Sequence, residues 1–221
     1  INFKAETDIV TEADLKTENL IFDKIKENFI EDKIISEETG ENKIGNGFTW
    51  VIDPIDGTNN FAQGLDYWAI SIGILKDMKP FAGITYMPML NKLFVAEIGK
   101  GAYCNNEKIF VGSKNILKNS IAIVDSGMKG EGELEKYLYV CKRMCENVRN
   151  VIKYGSAVVL RTAYIWDVAA ITTIVLEAGG VVKQLNGEDI CFDRISDYYL
   201  VVSNKELCDK IFEFNDVEKI F

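Results

Sequence analysis

The chain has 221 residues and a mass of 24.9 kDa, long enough to bury a sizeable core without disulfides. Its net charge is −9 with no basic cluster, which disfavours nucleic acid and anionic membrane surfaces as partners. It contains no histidine, so a Ser-His-Asp triad, a Cys-His dyad, a histidine base and a histidine metal ligand are all excluded.

The first helix is expected near Thr11–Phe29, where Leu15, Ile21, Phe22, Ile25 and Phe29 recur at helical spacing. Thr11-Glu12-Ala13-Asp14 reads as its capping box. Ser36–Gly47 reads as a turn-rich loop, and Phe48–Ile52 as a buried strand that Asp53–Thr58 ends abruptly. Tyr67–Leu75, Pro80–Met87 and Leu93–Ile98 read as a β-meander, followed by a hairpin turn over Gly99–Asn106. Ile121–Val124 is expected as a strand, and Glu131–Asn147 and Ser156–Ile165 as helices. Trp166–Ala178 reads as a helix closed by Gly179-Gly180, Val181–Gln184 and Tyr199–Ser203 as late strands, and Lys205–Phe214 as a terminal helix. This mixture predicts stacked sheet and helix layers rather than a strict βαβ repeat. A soft boundary near Ser113–Asn119 divides 1–115, a lobe bearing the metal site, from 116–221, a lobe completing it within one compact unit.

Residues 1–60 hold 14 acids against 6 lysines, so carboxylates collect in the first quarter. A solvated helix face accounts for most of them, but not for those beside Gly, Pro and apolar residues. In Asp53-Pro54-Ile55-Asp56-Gly57-Thr58 both carboxylates and the Ile55 carbonyl can converge on one point, a start on a site for Mg²⁺ or Ca²⁺. Gly57 and Thr58 then open a turn whose free amides suit an anion. A cation beside an anion pocket is the apparatus of phosphate-ester chemistry. An ordinary Asp-Pro and Asp-Gly turn fits the same residues. Glu37-Glu38 reads locally as a solvated pair, Asp14 as a capping acid, and Asp167 as an acid favoured by the helix dipole. The five cysteines have no CxxC spacing, which suggests free thiols packed in a reducing compartment.

Taken in order, Asp8-Ile9-Val10-Thr11 to Asp14, Glu37-Glu38, Trp50 to Phe61, and Trp166-Asp167 to Gly180 resemble the inositol monophosphatase family, within the Mg²⁺-dependent, lithium-sensitive phosphatases. Met87-Pro88, Phe94–Glu97 and Gly99–Tyr103 look like the same family's hairpin. The resemblance implies an α-β-α-β-α layered sandwich and two or three Mg²⁺ per site. It implies Glu37, Asp53 and the Ile55 carbonyl around the first ion, Asp53, Asp56 and Asp167 around the second, and a weaker third ion near Glu37. It assigns catalytic roles to Asp14, Thr58 and Glu37, and phosphate or substrate contacts to Gly57, Thr58, Ser156 and Asp167. The implied activity is hydrolysis of a small polyol or sugar phosphate, inositol monophosphate first, in the cytoplasm and in a homodimer. Fructose 1,6-bisphosphate, 3′-phosphoadenosine 5′-phosphate and NADP are the alternative substrates within the superfamily, and a non-catalytic metal-binding relative is the alternative outside catalysis.

One stretch departs from the family. Its members usually place a helix, a Gly-x-x-Asp turn and a strand between Gly-Ser-Ala and Trp-Asp. Here Ala163-Tyr164-Ile165 runs directly into Trp166-Asp167. The choice is between a true shortening and a sequence that omits a segment. The second is favoured, because cutting a core strand orphans buried backbone groups.

Overall fold

The computed structural model describes residues 2–5, 8–42, 47–113, 116, 121–124, 150–151, 157–184, 186–195 and 198–214. They fall into two compact units. One comprises Ile1–Ile109 and Ile165–Glu177, the other Phe110–Tyr164 and Ala178–Phe221. The chain thus changes unit a little before the expected boundary at 115, and the helix carrying Asp167 returns to the first unit.

The first unit opens with an antiparallel pair, β1 (Asn2–Ala5) and β2 (Asp8–Val10). Helix α1 (Glu12–Asn28) follows, capped as expected: Thr11 accepts from the Ala13 amide, and Asp14 reaches back to the Thr11 amide at 2.8 Å. Then come β3 (Lys33–Ser36), β4 (Gly40–Asn42), β5 (Phe48–Asp56), the short α2 (Thr58–Ala62), β6 (Ala69–Lys76), β7 (Lys79–Met87), a 3-10 turn at Pro88–Leu90, β8 (Lys92–Glu97), β9 (Gly101–Cys104) and β10 (Glu107–Ile109). The strands build one eight-stranded sheet in the order β10-β9-β8-β7-β6-β5-β3-β4, antiparallel except where β3 meets β5.

Three local expectations change. The loop expected over Ser36–Gly47 contains the end of β3 and all of β4, because Ser36 pairs with Gly40 across a tight turn at 37–39. Strand β5 does not stop at Ile52 but continues through Asp56. The turn expected over Gly99–Asn106 contains β9.

In the second unit lie β11 (Ile121–Val124), β12 (Asn150–Val151) and β13 (Ala157–Ala163). The helix expected over Ser156–Ile165 is a strand from Ala157 onward, paired with β11 on one edge and with Tyr198–Ser203 on the other. This strand leads directly, through Tyr164, into the helix that carries Trp166 and Asp167. The chain then forms α3 (Ile165–Glu177) in the first unit, and β14 (Val181–Gln184), β15 (Tyr198–Ser203) and α4 (Lys205–Phe214) in the second. The second sheet runs β12-β11-β13-β15-β14. Leu207, Cys208 and Ile211 form the buried side of α4. The helix expected over Glu131–Asn147 and residues Cys141, Cys145 and Ser156 lie outside the described residues. Of the other cysteines, Cys208 is buried, Cys104 half-buried and Cys191 exposed, all free.

The first sheet is covered on both faces. Ile25 of α1 packs on Ile34 and Ile52, with Ile72 beside them. Side chains alternate along a strand, so Val51 and its partner Gly73 point the other way. There α3 lies against the sheet. A Cβ at Gly73 would stand 2.5 Å from the Ala169 Cβ, and one at Gly83 would stand 2.4 Å from the Ala170 carbonyl oxygen. Gly73 and Gly83 are direct cross-strand partners, so two glycines side by side form the seat of the helix. At the far end of α3, Glu177 accepts from the amides of Gly99 and Gly101 at 2.9 and 2.6 Å. An acid in a last helical turn opposes the dipole, and these two bonds offset that. The first unit has a sheet between two helices and the second has a sheet and a helix, the mixed sheet-and-helix architecture expected. Among the described residues no helix is long and apolar enough to cross a membrane.

Candidate active site

The acidic cluster begins with an irregularity in β5. Asp53 pairs with Ser71 of β6, and Asp56 with Ala69. Strand β5 advances three residues while β6 advances two, so β5 carries one extra residue, a bulge. Pro54, which has no amide to give the ladder, falls inside it. In a regular strand residues three apart face opposite ways. The bulge restores the phase, and Asp53 and Asp56 share the face of Ser71 and Ala69, which is also the face of Gly73 and α3. The segment is therefore a bulged strand rather than the free-standing turn its sequence suggests.

Asp167 arrives from the first turn of α3. Carboxylate oxygens of Asp53, Asp56 and Asp167 all lie within 4.8 Å of one another. Asp53 is 2% exposed, and among the described residues its Oδ1 has no hydrogen-bond partner. Burial pushes the Asp53 carboxyl well above the usual carboxylate range, reinforced by the charges of Asp56, Glu37 and Asp167 and by a hydrogen bond with Glu37. Glu37 is thus close to the cluster, and its amide donates to the Ile52 carbonyl at 3.2 Å. A buried, unpartnered carboxylate oxygen ringed by other carboxylates is costly unless a cation is bound there. The donors are all hard oxygens, the set that suits Mg²⁺ rather than a thiophilic metal.

Beside this cluster stands a hydroxyl relay. The Thr58 Oγ1 lies 3.2 Å from Asp14 Oδ1 and 2.9 Å from the Ile55 carbonyl oxygen. Asp14 is fully buried, and its other oxygen is held by Thr11. Asp14 is therefore more than a capping acid: one carboxylate closes α1 and orients Thr58. Gly57, which precedes α2, has φ +85°, and a Cβ there would lie 3.2 Å from the Tyr67 carbonyl oxygen. Glycine is what lets the chain turn here. The Gly57 and Thr58 amides stand at the helix start, where no intrahelical acceptor exists for them.

The structure therefore brings together Asp53, Asp56 and Asp167, adds Glu37 electrostatically, and joins Thr58 to Asp14 and Ile55. One buried acid went unnoticed in the sequence. Glu18, 1% exposed, accepts from the Thr39 amide at 3.2 Å and the Thr39 hydroxyl at 3.3 Å. The signal for it was present: positions 14, 18, 21 and 25 form one helical stripe, and its first two members are acids.

A sequence model of the inositol monophosphatase family matches residues 2–214. Inositol monophosphatase 1 of Bos taurus is 32% identical over 224 residues, spanning 92% of this chain and 80% of its own. The extragenic suppressor protein SuhB of Bartonella henselae superposes with a TM-score of 0.89 at 26% identity, covering 100% of this chain and 88% of its own. Inositol monophosphatase II of Staphylococcus aureus, solved with inositol monophosphate bound, superposes with a TM-score of 0.81 at 28% identity, covering 94% and 84%. The same enzyme has been solved with 2′AMP. This chain belongs to the inositol monophosphatase family, and with it to the Mg²⁺-dependent phosphoric monoester hydrolases.

Proposed function

We propose that the protein releases phosphate from a small polyol phosphate, inositol monophosphate first. The observation that carries this reading is the three-carboxylate cluster around the unpartnered Asp53 oxygen, set beside the Thr58–Asp14 pair. Asp53, Asp56, Asp167, Glu37 and the Ile55 carbonyl would hold Mg²⁺. When bound, the metal supplies positive charge that acidifies a water and steadies the leaving oxygen. Thr58 Oγ1, 3.2 Å from Asp14 Oδ1, would pass the proton of the attacking water toward Asp14. The Gly57 and Thr58 amides would orient the phosphate at the helix start. Ser156, assigned to the substrate side by resemblance, lies outside the described residues.

The S. aureus relative solved with 2′AMP supports a second reading, in which the leaving group is a nucleoside. Both readings use the same metal centre and differ on the substrate side. The complete acidic cluster weighs against a non-catalytic relative. Cytoplasmic location and a homodimer remain proposals, the latter open to light scattering.

The test is phosphate release from inositol 1-phosphate, 2′AMP, fructose 1,6-bisphosphate, 3′-phosphoadenosine 5′-phosphate and NADP, each with Mg²⁺ and with EDTA. Metal-dependent release fastest from inositol 1-phosphate supports the first reading. Preference for a nucleotide supports the second. No release from any of the five would refute both.

A further inference from the structure

Glu18 is an anomaly on stability grounds. It occupies the apolar stripe of α1 one turn beyond Asp14, in line with Ile21 and Ile25, yet it is a carboxylate 1% exposed to solvent. Burying such a group is costly, and a half-satisfied one more so. Its Oε1 accepts from the Thr39 amide and hydroxyl, while Oε2 is buried without a partner among the described residues. A leucine there would extend the stripe and remove the cost. What the carboxylate does instead is grip the turn at 37–39.

That turn carries Glu37. It joins β3 to β4, with Ser36 and Gly40 paired at its base. Its first residue is tied to β5, because the Glu37 amide donates to the Ile52 carbonyl, one residue before Asp53. Its last residue is tied to α1 through Thr39 and Glu18. The Glu37 carboxylate, which hydrogen-bonds with Asp53, therefore stands between two tethers. Asp14 and Glu18, four residues apart on one helical face, make parallel contacts: Asp14 orients Thr58 after β5, and Glu18 orients the turn after β3.

We propose that Glu18 is a positioning residue for Mg²⁺ binding: by holding Thr39 it fixes the 37–39 turn so that Glu37 faces the Asp53 cluster. The proposal rests on the reading of Glu37 as a metal ligand. Outer partners that orient ligands typically account for about 10–100-fold in metal affinity. Mg²⁺ tolerates little error in ligand placement, so loss of the tether acts on affinity first.

The experiment is Mg²⁺ titration of the metal-stripped protein by calorimetry, with thermal midpoints in EDTA recorded in parallel. Wild type is compared with Glu18→Ala, Glu18→Gln, Thr39→Val and Glu37→Gln. Glu18→Ala is expected to weaken Mg²⁺ about tenfold. Glu18→Gln keeps a carbonyl oxygen for the same two donors and should stay within about twofold of wild type. Thr39→Val removes one donor of the two, at an exposed residue, and should fall between them. A merely structural Glu18 would lower the midpoint in EDTA and leave Mg²⁺ affinity unchanged in Glu18→Ala, which overturns the proposal. If Glu18→Ala does not fold, wild-type Mg²⁺ affinity in Thr39→Val overturns it equally. If Glu37→Gln binds Mg²⁺ as wild type does, the metal reading of Glu37 fails and takes the proposal with it. Weak binding by Glu37→Gln beside wild-type binding by Glu18→Ala sinks the positioning role alone.

Discussion

Replacing Gly73 with alanine tests how Asp167 reaches the metal centre. The new Cβ would stand 2.5 Å from the Ala169 Cβ and 2.9 Å from backbone atoms of Ala169 and Ala170. Carbon atoms rest at about 3.5–4.0 Å, so α3 must lift by about 1 Å at that point. No rotamer can relieve a backbone contact. Overpacking of this kind costs about 1–3 kcal/mol. Near this chain length each kcal/mol lowers the melting midpoint by about 2–4 °C. Asp167 rides on the same helix, two residues from Ala169, and a metal site tolerates only about 0.2 Å of error in its ligand distances. Gly73→Ala should therefore lose Mg²⁺ affinity out of proportion to its stability. Thermal melts in EDTA and in Mg²⁺, with the Mg²⁺ dependence of phosphate release, read the two effects separately. Ala169→Gly in the same chain removes the closest atom and should recover part of the affinity. The equivalent pair at Gly83 should not recover, because its clash is with the Ala170 carbonyl oxygen at 2.4 Å. Wild-type melting and Mg²⁺ dependence in Gly73→Ala would show that the glycine seat does not set the position of Asp167.

Asp53→Asn should abolish turnover at any Mg²⁺ concentration while raising the melting midpoint in EDTA at pH above the ordinary carboxylate range, since it replaces an acid that must either take up a proton on folding or add a charge to a crowded set; retained turnover would refute the ligand assignment. The metal-free protein should also show a pH signature. The raised Asp53 carboxyl holds a proton in the folded state that the unfolded chain has already released. Its contribution is therefore full below the ordinary carboxylate range and is lost as pH rises through the elevated value. The difference in midpoint between wild type and Asp53→Asn in EDTA should widen with rising pH over that window; a constant difference would refute it. Saturating Mg²⁺ should stabilise wild type by about 2.7 kcal/mol at 100 times its dissociation constant, and Asp53→Asn far less, as differential scanning calorimetry would report. Glu177→Gln keeps one good acceptor for Gly99 and Gly101 but loses the charge, and should cost about 1 kcal/mol in chemical denaturation with Mg²⁺ affinity unchanged. A larger loss of Mg²⁺ affinity would mean that the far end of α3 also sets Asp167.

Helix α1 with its capping box, the meander and α4 were legible from periodicity and punctuation, because each depends on neighbours a few residues away. The class of chemistry was legible through the order of four motifs, Asp8–Asp14, Glu37-Glu38, Trp50–Phe61 and Trp166–Gly180, and their family resemblance; Asp-Pro-Ile-Asp-Gly-Thr alone fits an ordinary turn as well as a metal site. The Ala157–Ala163 segment was misread as helical because a short apolar run has no decisive period, and pairing with β11 and β15 made it a strand. The convergence of Asp53 and Asp56 was expected, but its cause was not. A bulge exists only relative to a partner strand, and that partner's register appears nowhere in the local sequence. Glu18 looked like an ordinary helix acid until the fold placed the 37–39 turn against it, whereas the role of Asp14 came from the family resemblance and its local pattern read only as a cap. The sequence by itself determined which oxygens are available and which segments carry them. Tertiary structure alone decided which of those oxygens lose their water, because burial is a property of what packs against a residue rather than of the residue itself.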